Sequence, residues 1–423
     1  MAIDVLLIGG GGREHALAWK LKQSPSLGRL YVAPGNGGTR EIAENVAIPA
    51  TDIEKLAHFA EEKKIGLTIV GPDDPLAIGV VDVFKKRGLR IWGPTLAAAR
   101  IEASKAFAKE LMREANIPTA SFGVFKEYEP ARAYVREKGV PIVIKASGLA
   151  LGKGVYVCTT LEEAEVALKE TMIEKVHKDA GNEVVIEEYL DGQEISTHAL
   201  SDGKTSVLFP PSQDHKTIGE GDTGKNTGGM GTIAPLSWVS DEVLSSIKRS
   251  VVDPALSTLA GRNTPFVGLL YPGIKMTSRG PKVLEFNARF GDPETQVYMR
   301  LLKSDLLEVL NACVDGTLAS QAIEWEDGFA ANVVLASGGY PDSYQKGIPI
   351  TGISEAEQVP GVVVFHAGTV HEGVLKTSGG RVLGVSAVGA TLQEALDRAY
   401  KAADIIHFEG KYYRKDIGAK ALS

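Results

Sequence analysis

At 423 residues the chain is too long for one hydrophobic core and predicts two to four domains, and its 44% hydrophobic content can fill several cores. A net charge of -7 leaves no basic face for a nucleic-acid backbone or an anionic membrane, so neither partner is expected. The only cysteines, Cys158 and Cys313, exclude a disulfide framework or thiolate metal site and point to the reducing cytoplasm. Met1 to Asp4 runs straight into a strand without a basic leader, and no apolar run is long enough to span a bilayer. A soluble, cytoplasmic, monomeric enzyme or binding protein acting on small molecules is the expectation.

Taken in chain order, the first hundred residues alternate short apolar runs with helical patterns. Strands are predicted at Val5 to Ile8, Leu30 to Val32, Leu67 to Val70 and Leu89 to Trp92, with helices from Glu14, from Asp52 and near Leu76. That alternation predicts an open parallel βα domain over 1–102. A helix from Ser104 to Asn116 should stop at Ile117-Pro118. Strands at Pro141 to Lys145, Val155 to Cys158 and Glu183 to Tyr189, with a helix from Leu161, predict a small α+β lobe at about 121–190 within a region of 103–325. Strands at Ala331 to Leu335 and Val362 to His366 and a helix from Thr391 predict a small α+β domain over 326–423. The expected class is a multidomain chain combining α/β and α+β parts.

Gly9-Gly10-Gly11-Gly12-Arg13-Glu14 joins a strand to a helix, where backbone N–H groups can hold a phosphate and Arg13 can add a charged donor. A tight strand-to-helix turn would need the same glycines. A nicotinamide dinucleotide fits poorly. Glu14 or His15 stands where its fingerprint needs a third small residue, and Pro34-Gly35-Asn36 stands where it needs an acid. A monophosphate substrate fits better.

The second loop, Lys145 to Val155, joins strand to strand and is not a Walker sequence, because Lys153 precedes Gly154 rather than Ser or Thr. Its glycines Gly148, Gly152 and Gly154 can fold over triphosphate oxygens, with Lys145 and Lys153 supplying charge; a surface hairpin is the plainer reading. Glu187-Glu188-Tyr189-Leu190 ends a strand before a turn at Asp191-Gly192, and could offer backbone groups to an adenine edge while Glu194 accepts ribose hydroxyls. It could equally be an ordinary hairpin. In Val283 to Gln296, Glu285 and Asn287 share one strand face, a spacing of hard oxygen donors that suits Mg²⁺, with Arg289 close by; a solvated polar face gives the same pattern.

These segments in this order resemble the ATP-grasp superfamily, which clamps ATP between two α+β lobes, and within it the glycinamide ribonucleotide synthetase family. The resemblance rests on Gly11 to Ala18, Ala33 to Asn36, Thr68 to Pro72, Ser104 to Phe107, Lys145 to Val155, Ser212 to Lys216, Asn226 to Gly231 and Glu285 to Gln296. Phe365 to Thr369, Gly379 to Leu383 and Tyr413 to Gly418 extend it almost to the C-terminus. It implies a two-lobed ATP-grasp core and an ADP-forming ligase that joins glycine to 5-phosphoribosylamine through a glycyl phosphate, in purine biosynthesis. It implies ATP contacts from Lys105, Lys145, Gly148, Gly152, Lys153, Gly154, Glu187, Glu188, Leu190 and Glu194. The Mg²⁺ or Mn²⁺ ligands would be Glu285 and Asn287, with Arg289 and Lys145 as catalytic cations. Substrate contacts would come from Gly11, Gly12, Arg13, Glu14, Gly35, Asn36, Asp214, His215, Lys216, Arg289 and Asp292. Ser147 departs from the aspartate usual there, and His215 has a plain alternative as a structural hydrogen-bonder. A carboxylase sharing the clamp, or a nucleotide sensor without turnover, are the rival readings.

Overall fold

The computed structural model describes residues 2–149 and 154–422, so Gly152 and Lys153 lie outside the described residues. Strands β1 (Ile3–Gly9), β2 (Leu27–Pro34), β3 (Glu44–Asn45), β4 (Leu67–Val70) and β5 (Ile91–Trp92) form a parallel sheet in the order β3-β2-β1-β4-β5. Successive residues of β1 enter different cores, Val5 and Leu7 on one face and Leu6 and Ile8 on the other. Both faces are covered, as a parallel sheet requires, which is why its strand reads as an unbroken apolar run. Helix α1 (Gly12–Leu21) starts two residues before the expected Glu14, because Glu14 closes a capping box onto the backbone of Gly11.

Helix α2 (Leu96–Ala103) leads directly into α3 (Lys105–Glu114), whose N-cap Ser104 accepts a hydrogen bond from Phe107 N at 3.2 Å. The next lobe is an antiparallel sheet of β6 (Phe122–Phe125), β7 (Ile142–Ala146), β8 (Val155–Cys158) and β9 (Val184–Glu188), in the order β6-β9-β7-β8. Its helices bury Ala131, Val135, Ala164 and Leu168 against Ile142, Ile144, Val184 and Ile186, giving the lobe its own core. From β9 the chain turns at Asp191-Gly192 into β10 (Gln193–Ser196). That strand belongs to another sheet, so the turn joins two sheets rather than closing a hairpin. Gly192 has φ +120°, and a Cβ there would lie 2.0 Å from Met276 O, so glycine is required at this crossing.

The chain continues through β11 (Ala199–Asp202), β12 (Ser206–Leu208), β13 (Gln213–Asp214), a hairpin of β14 (Thr217–Gly219) and β15 (Thr223–Asn226), and β16 (Gly231–Ala234). The long β17 (Val267–Thr277) pairs with β10 and β11 and, antiparallel, with β18 (Gly280–Asn287). The β17 to β18 register steps from Ile274↔Val283 to Gly273↔Glu285, so Leu284 is the extra residue of a bulge. Helix α4 (Glu294–Leu301) follows β18 and packs Val297 and Leu301 into the core that holds Ala16 and Leu17 of α1. Strands β19 (Phe329–Ala336), β20 (Val362–His366), β21 (Thr369–Glu372), β22 (Val374–Thr377) and β23 (Arg381–Gly389) complete the set. One antiparallel sheet, β13-β16-β19-β23-β20, runs from the central region into the C-terminal one. Helix α5 (Leu392–Ile405) is capped by Thr391, the residue from which a helix is expected, and packs Ala395, Ala399 and Ala402 into the core with Val333 and Val385.

Candidate active site

The bulge at Leu284 leaves its carbonyl free of the strand ladder, and Lys145 at the end of β7 takes it with Nζ at 3.1 Å. The same ammonium lies 3.0 Å from Glu187 Oε2, while Lys109 Nζ lies 3.2 Å from Glu187 Oε1. Glu187 is therefore a buried carboxylate between two lysines of different elements. Burial pulls the Lys109 ammonium down to about 8, against the pull of Glu187. Burial acts on Lys145 too, but Glu187 and Glu285 together outweigh it and hold that lysine above its ordinary value. Lys105, the first residue of α3, donates to Gly148 O at 3.3 Å. Ser147 Oγ accepts from Ala106 N at 3.1 Å and lies 3.3 Å from Glu183 Oε2, so this departure from the usual aspartate caps the start of α3. Glu188 is engaged by Lys282 Nζ at 2.8 Å and by Ser121 N at 3.1 Å, and Leu190 is buried.

Glu285 and Asn287 follow the bulge on one face of β18. Burial would raise the Glu285 carboxyl, but Lys216, Lys105, Lys145 and Arg289 surround it and hold it below the usual range, so it is an anion at neutral pH. Asn287 turns Nδ2 toward Tyr271 O at 3.5 Å, leaving Oδ1 to Arg289 Nη2 at 3.3 Å. One ionised and one amide oxygen on alternate residues suit a hard divalent cation. Among the described residues no three His, Cys, Asp or Glu side chains converge on a common point, so a cation here would draw its other ligands from substrate and water. Arg289 also pairs with Glu102 Oε1 at 2.9 Å. Burial pushes the Glu102 carboxyl up to about 7, with Arg289 pulling against that shift.

At the first glycine loop, Glu14 receives Gly11 N at 2.6 Å and also Arg13 Nε. Arg13 Nη1 donates to Phe290 O at 3.1 Å, the carbonyl that Arg289 Nη1 reaches at 3.3 Å, so one backbone oxygen joins the two guanidinium groups. Asp292 Oδ2 lies 3.5 Å from Arg13 N above the open end of α1. Gly12 packs beside Gln296. Gly35 N donates to Gly9 O at 3.1 Å, and Asn36 Nδ2 donates to Gly10 O at 3.0 Å and His366 O at 2.7 Å while its Oδ1 accepts from Gly38 and Thr39. The Asn36 amide thus staples the first two loops to β20.

Lys216 Nζ stands 3.5 Å from both Glu194 Oε1 and Asp214 Oδ2. Burial drives the Asp214 carboxyl up to about 8, and its Oδ1 is buried without a hydrogen-bond partner. Gly229, at φ +111°, covers that oxygen, and a Cβ there would sit 2.5 Å from it. His215 is different. Its Nδ1 meets Gly231 O of β16 at 3.1 Å and its Nε2 accepts Gly418 N at 3.0 Å, so one ring nitrogen is used on the neighbouring strand and the other on the C-terminal segment. Burial lowers it to about 4, which keeps it neutral.

Four charged groups in this assembly are not among the site residues expected from the sequence: Glu102, Lys109, Glu294 and Arg381. Glu294 accepts from Tyr271 OH and from Ser196 Oγ at 3.1 Å beneath the site. Arg381 Nη1 donates to Gly228 O at 2.7 Å and Asp292 O at 2.8 Å, and Nη2 lies 3.5 Å from Asp292 Oδ2. Arg381 stands in the quoted run Gly379 to Leu383, but only β23 beside β19 places it here. Lys109 follows Lys105 by one helical turn, a spacing that could have flagged it.

An antiparallel lobe beside a core sheet, with the buried Lys145 on one and an acid-amide pair on the other, defines an ATP-grasp enzyme. Family models described as the N domain, the ATP-grasp (A) domain and the C domain of phosphoribosylglycinamide synthetase match residues 3–102, 103–295 and 330–420. The chain is 49% identical to the phosphoribosylamine-glycine ligase of Vibrio cholerae over 425 aligned positions, covering 100% of this chain and 99% of that one. A solved phosphoribosylamine-glycine ligase from Thermotoga maritima superposes with a TM-score of 0.87 at 34% identity, covering 98% of this chain and 100% of that one. A biotin carboxylase from Campylobacter jejuni shares the fold at TM-score 0.75 and 13% identity, over 100% of this chain and 95% of that one. The chain belongs to the phosphoribosylglycinamide synthetase family. No helix among its described residues is long and apolar enough to cross a membrane.

Proposed function

We propose that this chain is an ADP-forming ligase that joins glycine to 5-phosphoribosylamine in purine biosynthesis, through a glycyl phosphate. The observation that carries the reading is the full-length similarity to phosphoribosylamine-glycine ligases, with the cations and the Glu285 and Asn287 pair gathered at one place. A carboxylate is too electron-rich for an amine to attack. Its oxygen must first take the terminal phosphoryl group of ATP, releasing ADP. The amine of phosphoribosylamine then attacks the acyl carbon, loses a proton, and phosphate departs.

Lys145, fixed by Glu187 and the Leu284 carbonyl, and Lys105 at the start of α3 hold the phosphate chain without reorganising. Arg289 offsets charge as the phosphoryl group moves. Mg²⁺ or Mn²⁺ held by Glu285 and Asn287 would supply further positive charge to the phosphate oxygens. The base would lie along the Glu187 to Leu190 segment, with its ribose near Glu194. The first glycine loop, with Arg13, Asp292 and the Asp214 to Lys216 segment, would hold the two acceptor substrates. The active species in this reading is a cytoplasmic monomer.

Phosphate release measured with each substrate omitted tests the reading. Turnover should require ATP, glycine and phosphoribosylamine together, and equal turnover with bicarbonate in place of glycine would remove the assignment. Arg13→Met should raise the apparent KM for phosphoribosylamine about tenfold, as expected for a charge-assisted contact, with ATP KM little changed. Loss of ATP affinity alone would put the amine substrate elsewhere.

A further inference from the structure

We infer that Glu102 is a positioning residue for the phosphoryl-transfer step, fixing the Arg289 guanidinium beside Asn287. The inference rests on the ligase reading above, in which Arg289 meets the transferring group. Glu102 lies near the end of α2, three residues before Lys105. Its two oxygens grip adjacent residues just beyond β18: Oε1 lies 2.9 Å from Arg289 Nη2, and Oε2 accepts Ala288 N at 2.8 Å. This two-point hold sets both the backbone that leaves the Glu285 and Asn287 face and the side chain that follows it.

The remaining Arg289 contacts are weak by comparison. Nη2 reaches Asn287 Oδ1 and Nη1 reaches Phe290 O, each at 3.3 Å, and Nε has no hydrogen-bond partner. Arg289 and Glu102 side chains are 18% and 8% exposed, so the pair is sheltered enough for its geometry to matter. Without the carboxylate, the guanidinium would keep only those two long contacts and could swing on its flexible stem. Because Glu102 is so close in sequence to Lys105, the chain bend at Ser104 sets two cations of the site from one place.

The test is steady-state kinetics of Glu102→Gln, Glu102→Asp, Arg289→Met and the double variant Glu102→Gln with Arg289→Met, alongside thermal melting. Glu102→Gln should lower kcat roughly tenfold to a hundredfold, the loss expected from small misplacement of a reacting group, with every KM within about threefold of the unaltered enzyme. Glu102→Asp, which keeps the charge, should recover part of that loss. In the Arg289→Met background the Glu102→Gln change should cost less than about twofold, because residues acting through each other are not additive. If Glu102→Gln does not fold, Glu102→Asp replaces it in the cycle, and its loss must vanish in the same background. Multiplying losses, an unchanged kcat, or a raised KM at constant kcat would each overturn the role of Glu102. Absence of glycine-dependent turnover in the unaltered enzyme would instead overturn the ligase reading.

Discussion

Glu285→Gln should lower turnover by roughly a hundredfold or more, the scale seen when one preorganised electrostatic group is removed from a transition state. The change keeps shape and one oxygen donor but removes the anion that Lys216, Lys105, Lys145 and Arg289 surround. Nucleotide affinity should fall much less, because the cations proposed to hold the phosphate chain remain. Asn287→Asp should be milder: it keeps the oxygen, and its new charge faces Arg289 Nη2, now 3.3 Å from Asn287 Oδ1. The measurement is an Mg²⁺ titration of each variant at saturating ATP, glycine and amine, with nucleotide binding followed separately. If Glu285→Gln keeps wild-type turnover and Mg²⁺ dependence, the polar face of β18 is an ordinary hydrated one.

The parts of this molecule that sequence made legible are those set by local rules. The strands at Leu67 to Val70 and Val155 to Cys158 stand where apolar periodicity places them, and the helices expected from Ser104 and Thr391 begin one residue later, with those two residues as their N-caps. The start of α1 is itself a local matter: the capping-box bond from Gly11 N to Glu14 adds two residues ahead of Glu14. Role was harder to read than place. Asn36 and His215 sit in recognisable motifs, yet each gives one of its hydrogen bonds to backbone more than 150 residues distant, at His366 and Gly418, which local patterning does not show. Local patterning could not register the bulge at Leu284, because it is a property of the β17 to β18 pairing. Glu102 reads as one more helical glutamate, and Arg381 comes into range only because β13 and β16 share a sheet with β19 and β23.

Glu187→Gln should destabilise the protein by about 3–5 kcal/mol, the usual cost of breaking a buried ion pair by removing one partner. Glu187 lies between Lys109 and Lys145, and all three side chains are at most 7% exposed. Without it two ammonium groups face each other, Lys145 keeping Glu285 and the Leu284 carbonyl, Lys109 keeping Thr119 Oγ1 at 2.6 Å and the face of the Phe122 ring. Lys109, already down at about 8, can shed its proton, which limits the cost at high pH. The sign follows from linkage: below the unfolded lysine value the unfolded chain binds the proton that the folded variant rejects, so stability rises with pH. The loss should accordingly be larger at pH 6 than at pH 9, read as the shift in urea midpoint. Adding Lys109→Met to Glu187→Gln should restore much of the stability, since one buried cation then remains, with partners of its own. A Glu187→Gln variant that unfolds at the wild-type midpoint at both pH values would mean that this carboxylate does not hold the two lysines together.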